Sequence, residues 1–392
     1  MPEPAEPAGL LPPPEYVVTD PHLRQVAEWL LRQPRVAVDT EGNSMYAYHE
    51  QMCLLQFSAE DRDVIVDPLA LDDLAPLQPL FEDPAIEKVF HAAEYDLISL
   101  YRDFGWECQN VFDTMIAART LGWQKVGLAN VLESMYGITL DKRYQRANWG
   151  ARPISPPMLD YARLDTHYLL DLRDRLYVQL AEQGYLADAE EDFERVARGA
   201  VRLARQQHEN NGRDGLFWRL AHGRRLNNLE ATRLMLLHAY REKVAEARNA
   251  PPFKVLNDDL LLRMAIHPPA NEAELAAMKG INRDQAHIHA RGLLNALDTA
   301  RRTPPPPRPA STRPPPDYVA RYDALKAWRK ARAAERNVEP DVIVNREVLE
   351  ALAAHPVTTL AELETIDSLG PVRRKRYGAE LLRVLAEAES NA

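Results

Sequence analysis

The chain has 392 residues, of which 46% are apolar and 27% charged, and its formal net charge is −10. This length predicts two or three domains with well-filled cores and excludes a disordered or fibrous protein. No apolar run approaches the roughly 18 residues of a membrane helix, and the N-terminus lacks the basic and apolar regions of a signal peptide. Cys53 and Cys108 are the only cysteines, too few for a disulfide framework. We therefore expect a soluble, cytoplasmic protein that does not bind membranes.

The composition changes in blocks along the chain. Residues 1–15 are rich in Pro, Glu and Ala, which predicts a disordered tail. β-branched runs then alternate with helical stretches as far as about residue 115, and helical spacing dominates after residue 155. The segment TPPPPRPASTRPPP at 303–316 predicts an extended polyproline spacer between domains. An α/β domain is therefore expected first, followed by helical domains.

The first candidate site residues end a predicted strand, RVAVDTEG at 35–42. Side chains alternate along a strand, so Asp39 and Glu41 share a face. Adjacent carboxylates repel each other unless a cation lies between them, and a hard divalent cation suits oxygen ligands. The pattern Asp-x-Glu is common by chance, and a solvated strand end is the simpler interpretation of it alone.

A third acid follows the next predicted strand, KVFHAA at 88–93. Asp96 lies at the start of a helix whose inward face carries Leu97 and Leu100. Asp113, further along, is interpreted as the N-cap of the following helix because aspartate is favoured at that position.

A later helix, opened by Ser155 with two prolines after it, carries Tyr161 and Asp165. These two residues are four positions apart and therefore share a helix face. Taken singly, Tyr161 suits a half-buried core position and Asp165 a solvated partner of a nearby arginine. Their order after the other three acids favours a common site.

The helical region contains an internal repeat at a constant offset of 88 residues. Asn249 recurs as Asn337, and the His-Pro pair that begins at His267 recurs at His355. Such residues punctuate helices, so their repetition in register predicts two copies of one helical domain.

These motifs resemble those of a known enzyme family. Asp39-x-Glu41, Asp96 in FHAAEYDL, and Tyr161-x-x-x-Asp165 resemble the three exonuclease motifs of the DEDD superfamily, in its tyrosine-bearing (DEDDy) branch. The stretch LDKRYQRANWGARPISPPMLDYARLDTHYLL is similar to the ribonuclease D family throughout. The resemblance implies an α/β domain of the ribonuclease H-like kind, a mixed sheet with flanking helices, in which CLLQFS and DVIVDP form a hairpin beside the first strand, RVAVDTEG.

The repeated domain resembles the helicase-and-RNase-D C-terminal (HRDC) domain, with APPFKVLNDDLL its most typical segment. The implied organisation is a DEDDy 3′→5′ exonuclease domain followed by two all-α HRDC domains. The expected boundaries are a tail at 1–15, the exonuclease domain at 16–200, HRDC domains at 213–300 and 317–390, and a Pro-rich linker at 303–316. The second copy departs from the first, with Glu339-Pro340-Asp341 where the first has Pro251-Pro252-Phe253.

The family's mechanism implies two divalent cations, Mg²⁺ or Mn²⁺, which activate a water and stabilise the leaving 3′-oxygen. By this resemblance Asp39 contacts both ions, Glu41 and Asp165 complete the first site, and Asp96 holds the second. Tyr161 would orient the attacking water. The implied products are nucleoside 5′-monophosphates released one at a time from a 3′ end.

Contacts to the nucleic acid are predicted separately. The loop with Lys142, Arg143, Arg146 and Trp149 offers phosphate contacts and a stacking face, as single-strand binding requires. The alternative is a solvated loop whose tryptophan packs on the core. His91 could approach the substrate from its strand end, and a buried structural histidine is the alternative.

Three functions remain open at this point. The leading one is a monomeric 3′→5′ exoribonuclease acting on RNAs with a free 3′ end, such as tRNA precursors. The others are a DNA exonuclease of the same superfamily and a catalytically silent RNA-binding scaffold. The intact set of four acids with Tyr161 weighs against the scaffold, because mutually repelling carboxylates would serve no purpose there.

The distribution of charge sharpens this expectation. Residues 1–212 hold 19 basic and 35 acidic side chains, whereas residues 213–302 hold 15 and 10. The negative net charge alone argues against a nucleic-acid partner. Its distribution instead assigns cation binding to the first region and RNA binding to the first helical copy.

Overall fold

The computed structural model describes residues 11–60, 62–210, 215–308 and 314–390. The chain divides into two compact units, each discontinuous in sequence. The first unit comprises Met1–Glu41, Met52–Arg205 and Arg313–Ala392, and the second comprises Gly42–Gln51 and Gln206–Thr312. No helix in the described part of the chain has the length and apolar character needed to cross a bilayer.

The first unit contains a six-stranded mixed sheet with the order β1-β4-β3-β2-β5-β6. Strand β4 pairs in parallel with β1, and β5 pairs in parallel with both β2 and β6. Strands β3 and β4 form an antiparallel hairpin beside β2, as predicted. The strands are β1 (Glu15–Val17), β2 (Arg35–Gly42), β3 (Met52–Ala59), β4 (Arg62–Val66), β5 (Glu87–Phe90) and β6 (Val111–Asp113). The parallel strands β2, β5 and β6 end at one edge of the sheet, which gathers the residues that follow them.

Among the described residues, eight α-helices accompany the sheet. They are α1 (Asp20–Leu30), α2 (Gln78–Glu82), α3 (Glu94–Phe104), α4 (Thr114–Thr120), α5 (Leu128–Tyr136), α6 (Pro156–His167), α7 (Leu169–Gln183) and α8 (Leu186–Asn210). Apolar residues from α1 and α3 bury one face of the sheet, while residues from α4 and α7 bury the other. Helix α6 packs against β3 and β4, where Ala162 joins a small core with Leu54 and Ile65.

The remaining helices form two similar domains. The first helical domain contains α9 (Asn228–Ala247), α10 (Pro252–Val255), α11 (Asp258–Ile266), α12 (Glu272–Ala276) and α13 (Arg283–Thr299). The second contains α14 (Pro316–Arg336), α15 (Pro340–Ile343), α16 (Arg346–Ala354) and α17 (Pro371–Ser390). The predicted α/β domain followed by two helical domains is confirmed.

The repeat found in the sequence is visible in the turns between helices. Asn249 and Asn337 both adopt left-handed backbone conformations, with φ of 42° and 53°. Asn257 and Asn345 each cap the next helix by accepting a backbone N–H three residues ahead. The same punctuation residues therefore perform the same local role in both copies.

The second unit joins the first helical domain to the short segment that follows β2. The Asn249 side-chain oxygen accepts hydrogen bonds from the backbone N–H groups of Tyr48 and His49, at 3.0 and 3.2 Å. The Lys254 ammonium lies 4.0 Å from the centre of the Tyr46 ring. These two hydrogen bonds and the cation–π contact hold the segment Gly42–Gln51 on the first helical domain.

The second helical domain packs on the helices of the first unit. Asp341 accepts two hydrogen bonds from Arg119 of α4, at 2.7 and 2.8 Å, and the Arg336 guanidinium lies 3.8 Å from the centre of the Tyr185 ring. Asp341 is one of the residues that depart from the first copy, where Phe253 stands. The departure therefore supplies a contact to the α/β domain.

The basic run RRKR at 373–376 partly serves the same interface. Arg373 is 5% exposed and pairs with Glu191 and Asp192 of α8, and Arg376 pairs with Asp188. These two arginines are engaged by protein carboxylates rather than presented for a nucleic acid.

Some predicted boundaries differ from the structure. Glu15, placed in the tail, begins β1 because it pairs with Val64 in the sheet and its carboxylate accepts hydrogen bonds from Arg62. Helix α8 continues past the predicted domain end at residue 200, and Pro316 of the predicted linker is already the first residue of α14. Residues 1–10 and 309–313 lie outside the described residues.

The described beginning of the linker is bound rather than free. The Trp218 indole donates a hydrogen bond to the Pro307 carbonyl at 3.2 Å. Arg308 donates to the Leu226 carbonyl and to the Asn228 side chain. The predicted extended spacer is therefore held on the first helical domain as far as residue 308.

Candidate active site

The end of β2 carries the first two acids. Val36, Ala37 and Val38 are fully buried, and the strand then emerges into partial exposure at Asp39 and Glu41. An apolar strand centre anchors the chain in the sheet, so the carboxylates that follow are held at its carboxyl edge.

Asp96 reaches the same edge from the adjacent strand. Strand β5 pairs in parallel with β2 and is followed by a sharp turn, in which Ala92 has a φ of 68°, before α3 begins. Asp113 holds this turn, because its two carboxylate oxygens accept the backbone N–H groups of Ala92 and Ala93 at 3.1 and 2.8 Å. It also accepts from two backbone N–H groups in the first turn of α4, which confirms its predicted role as an N-cap.

Helix α6 supplies the remaining two predicted residues. Pro156 and Pro157 occupy its first turn, where a missing N–H costs nothing. Asp165 is 9% exposed, and Tyr161, one turn earlier, is partly exposed. The structure thus presents both on the helix that packs against β3 and β4.

Three of the predicted acids converge closely. One carboxylate oxygen from each of Asp39, Glu41 and Asp165 lies within 4.8 Å of the others. Asp96 lies close enough for its charge to raise the pKa of both Asp39 and Glu41. All four predicted acids therefore contribute to one electrostatic cluster.

Burial and mutual repulsion dominate the electrostatics of this cluster. Burial, and after it the charges of the other acids, raises the pKa of Asp39 and of Glu41 well above the usual range. Burial raises the pKa of Asp96 and of Asp165 to about 7. A positive charge bound among these carboxylates would reduce their mutual repulsion and would favour their ionised forms.

The donor set suits a hard divalent cation. Carboxylate oxygens are the ligands that Mg²⁺ and Mn²⁺ favour, and three such oxygens within 4.8 Å can share one ion. The cluster contains neither histidine nor cysteine, which softer metals favour.

Aromatic neighbours surround Tyr161. The centres of the Tyr144 and Trp149 rings lie 5.7 and 6.2 Å from the centre of its ring. Burial, and then the charge of Asp165, raises the pKa of the Tyr161 hydroxyl, so the phenol stays protonated at neutral pH. Tyr161 can therefore donate a hydrogen bond towards the acidic cluster.

Two residues at the site were missed in the sequence. The Thr40 hydroxyl, between the first two acids, donates a hydrogen bond to Asp96 at 2.5 Å. Tyr144 lies in a short 3₁₀ turn, Tyr144–Arg146, and packs on Tyr161. A single threonine and a loop tyrosine carry no periodic signal, so only the folded arrangement reveals their roles.

The predicted RNA contacts fall into two groups. Lys142, Arg143 and Arg146 are exposed on the loop before α6, and Arg143 forms an ion pair with Asp141 at 2.5 Å. The same loop carries Tyr144, whose ring packs against the ring of Tyr161. The three basic residues therefore lie in a chain segment that contacts the site.

Trp149 and His91 are placed differently. Trp149 is 2% exposed and packs in a core with Cys53 and Ile154, so it has no free ring face for a base, contrary to its predicted stacking role. Burial of the Trp149 ring beneath the loop removes its large apolar surface from water. The His91 Nδ1 atom lies 2.8 Å from the Thr114 hydroxyl, and burial lowers the pKa of its imidazole.

Comparison with known families agrees with this geometry. Residues 14–181 match the model of a 3′-5′ exonuclease family, and residues 230–297 and 319–385 each match the HRDC domain. The fold and site therefore define a 3′–5′ exonuclease joined to two HRDC domains.

Relatives of similar length narrow the assignment. The chain is 33% identical over 362 residues to ribonuclease D of Gluconacetobacter diazotrophicus, covering 90% of this chain and 89% of that protein. It is 30% identical over 381 residues to ribonuclease D of Granulibacter bethesdensis, covering 95% and 92%. The crystal structure of Escherichia coli RNase D shares the fold, with a TM-score of 0.69 and 24% identity over 95% of this chain and 99% of that one.

The chain belongs to the ribonuclease D family. Its α/β domain is accordingly of the ribonuclease H-like exonuclease kind, and its activity is that of a 3′–5′ exoribonuclease. The exonuclease domain uses divalent metal ions, which agrees with the acidic cluster at the end of β2. RNA is its substrate class.

Proposed function

We propose that this exoribonuclease trims the 3′ ends of structured RNAs, tRNA precursors among them, and releases nucleoside 5′-monophosphates. The observation that carries this proposal is the convergence of Asp39, Glu41 and Asp165 within 4.8 Å, with Asp96 beside them. The structure of the Escherichia coli relative is described as that of an exoribonuclease involved in structured RNA processing, which supports the choice of substrate.

Two divalent cations, Mg²⁺ or Mn²⁺, would be held by the four acids. Asp39 would contact both, Glu41 and Asp165 would complete one position, and Asp96 would serve the other. Bound there, the ions would activate a water as nucleophile and would stabilise charge on the leaving oxygen. The protonated Tyr161 hydroxyl would orient the attacking water by hydrogen bonding.

Removing one carboxylate tests the proposal directly. Asp39→Asn keeps the size of the side chain but removes a charge and one strong ligand. We expect it to abolish Mg²⁺-dependent release of labelled mononucleotide from a 3′-labelled RNA while the circular dichroism spectrum stays unchanged. Glu133→Gln, which removes an exposed charge from α5, is the matched control and should keep full activity. Full activity in Asp39→Asn would contradict the proposal.

Lys142, Arg143 and Arg146 are proposed to contact phosphates of the RNA 3′ end. Their exposure and their loop's contact with Tyr161 support this role. We leave His91 and Trp149 out of the proposed contacts, because the His91 ring is engaged by Thr114 and Trp149 is buried.

A double variant tests this loop. Lys142→Ala with Arg146→Ala should raise the KM for RNA and leave kcat nearly unchanged. Each lost phosphate contact should also reduce the slope of log affinity against log salt, by about 0.7 for a single strand. Lys326→Ala, an exposed lysine on α14, is the control. An unchanged salt slope in the double variant would remove the loop from the RNA path.

A substrate panel separates the remaining possibilities. Single-stranded RNA, duplex RNA, a tRNA precursor with a 3′ extension and DNA of matched sequence are digested in parallel, and product lengths are recorded. Rapid trimming of the precursor to a defined end supports the proposal, whereas digestion of unstructured single-stranded RNA alone would contradict the choice of structured RNA.

Several further features belong to the same proposal. We propose that the protein acts as a monomer in the cytoplasm, with HRDC domains at about 213–300 and 317–390. Light scattering during size-exclusion chromatography measures the molar mass in solution, and the mass of a dimer would contradict the proposed monomer.

A further inference from the structure

Thr40 occupies an unusual position among the acids. It lies between Asp39 and Glu41, and its hydroxyl donates to one carboxylate oxygen of Asp96 at 2.5 Å. Asp96 is 6% exposed, so water offers its carboxylate little alternative hydrogen bonding. The hydrogen bond joins the strand that carries two of the proposed ligands to the helix that carries another.

The two sides of the sheet explain why such a link is needed. Val36 and Val38 pack with Leu97 and Leu100 of α3, whereas Ala37 packs in a separate core with residues of α4 and α7. Alternation along β2 therefore turns Thr40 towards the side of α3, and Asp39 and Glu41 towards the other. Asp96 approaches the cluster from the side opposite to these two acids.

Repulsion from the other carboxylates acts on Asp96 whenever no cation is bound. The carboxylate can rotate about its last side-chain bond, which has a broad, two-fold preference. The hydrogen bond from Thr40 to one carboxylate oxygen of Asp96 restricts this rotation.

We propose that Thr40 is a positioning residue that fixes the Asp96 carboxylate for cation binding, an inference that rests on the proposed metal site. Thr40 touches neither substrate nor metal in this role. Outer-shell partners of metal ligands typically contribute about 10–100-fold to metal affinity or activity. The loss of the Thr40 hydroxyl should fall in that range.

Three variants separate this role from simple packing. Thr40→Val keeps the shape of the side chain without the hydroxyl, Thr40→Ser keeps the hydroxyl with less bulk, and Thr40→Ala lacks both. Mn²⁺ binding to the full-length protein without RNA is measured by electron paramagnetic resonance. We expect Thr40→Val and Thr40→Ala to bind one class of Mn²⁺ about 10–100-fold more weakly. Thr40→Ser should bind close to wild type.

Thr232→Val serves as the control for loss of a buried hydroxyl. The Thr232 hydroxyl donates to the Asn228 carbonyl within the first helical domain, and it is 1% exposed. Its removal should leave Mn²⁺ binding unchanged. Wild-type Mn²⁺ binding in Thr40→Val, or equal impairment of Thr40→Ser and Thr40→Val, would overturn the inference.

A double-mutant cycle shows whether Thr40 acts through Asp96. Thr40→Val combined with Asp96→Ala should bind Mn²⁺ no more weakly than Asp96→Ala alone, because the acceptor of the Thr40 hydrogen bond is already absent. Additive losses would contradict the inference. Wild-type binding and turnover in Asp96→Ala would instead contradict the ligand assignment, so failures of the two proposals are distinguishable.

Discussion

Arg373 of α17 donates a hydrogen bond to Asp192 of α8 at 2.5 Å, and both residues are buried. The same guanidinium donates to Glu191 and to the backbone carbonyls of Ile343 and Asp188. The second HRDC domain is thus anchored on the α/β domain by a charge whose hydrogen bonds are largely satisfied within the protein.

Arg373→Ala should destabilise this interface strongly. Removing one partner of a buried ion pair typically costs about 3–5 kcal/mol, because the other charge remains buried without compensation. The free energy of unfolding from urea titration, read by tryptophan fluorescence, measures the loss. Lys375→Ala, an exposed lysine two residues away, should leave stability unchanged. Equal stability of the two variants would mean that Arg373 is not an anchor.

Asp113→Ala should lower both stability and turnover. The variant loses the N-cap of α4 and the hydrogen bonds that hold the turn before α3, and a lost cap alone costs about 1 kcal/mol. Asp96 follows this turn, so kcat should fall with stability. Asp113→Asn keeps one acceptor oxygen and should show a smaller loss in a thermal melt. An unchanged kcat in folded Asp113→Ala would show that the turn does not position Asp96.

The metal-free protein should become more stable as the pH falls from 8 towards 5. Asp96 and Asp165 have pKa values of about 7 in the folded protein, against about 3.9 unfolded. The folded form therefore binds more protons over this interval, and protonation relieves the repulsion that destabilises it above pH 7. Thermal melts in EDTA across this pH range measure the trend.

A variant and a cation provide the controls for this pH dependence. Asp165→Asn removes one of the titrating groups, so its stability should vary less with pH. Mg²⁺ at pH 8 should stabilise wild type by replacing the missing positive charge. Metal-free wild type that loses stability on acidification to pH 6 would contradict the proposed repulsion.

Trp149→Ala should act on stability rather than on RNA affinity. A buried tryptophan truncated to alanine typically costs about 3–5 kcal/mol. Urea denaturation measures this cost, and RNA affinity is measured on the folded fraction at low temperature. Trp149→Phe should lose less stability. An RNA-binding defect without a loss of stability would restore the stacking role predicted from sequence.

The sequence predicted the acids and the repeat because both leave signals that depend on spacing. Asp39 and Glu41 follow a recognisable apolar strand, and the recurring Asn249 and Asn337 mark equivalent helix ends. The burial of Trp149 left no such signal, because the aromatic residue of a basic loop can either stack on RNA or pack in the protein core. The link from Thr40 to Asp96 depends on two chain segments meeting at a sheet edge, which residue spacing alone does not encode.

The contact between Arg373 and Asp192 joins two segments that are synthesised at different times. The α/β domain leaves the ribosome first, and its acidic surface at Asp192 meets Arg373 only when the chain is nearly finished. The first HRDC domain is made in between, and the 181 residues from Asp192 to Arg373 take about 9–36 s to synthesise at roughly 5–20 residues per second. Until Arg373 has been synthesised, Glu191 and Asp192 lack the guanidinium that pairs with both of them in the folded protein.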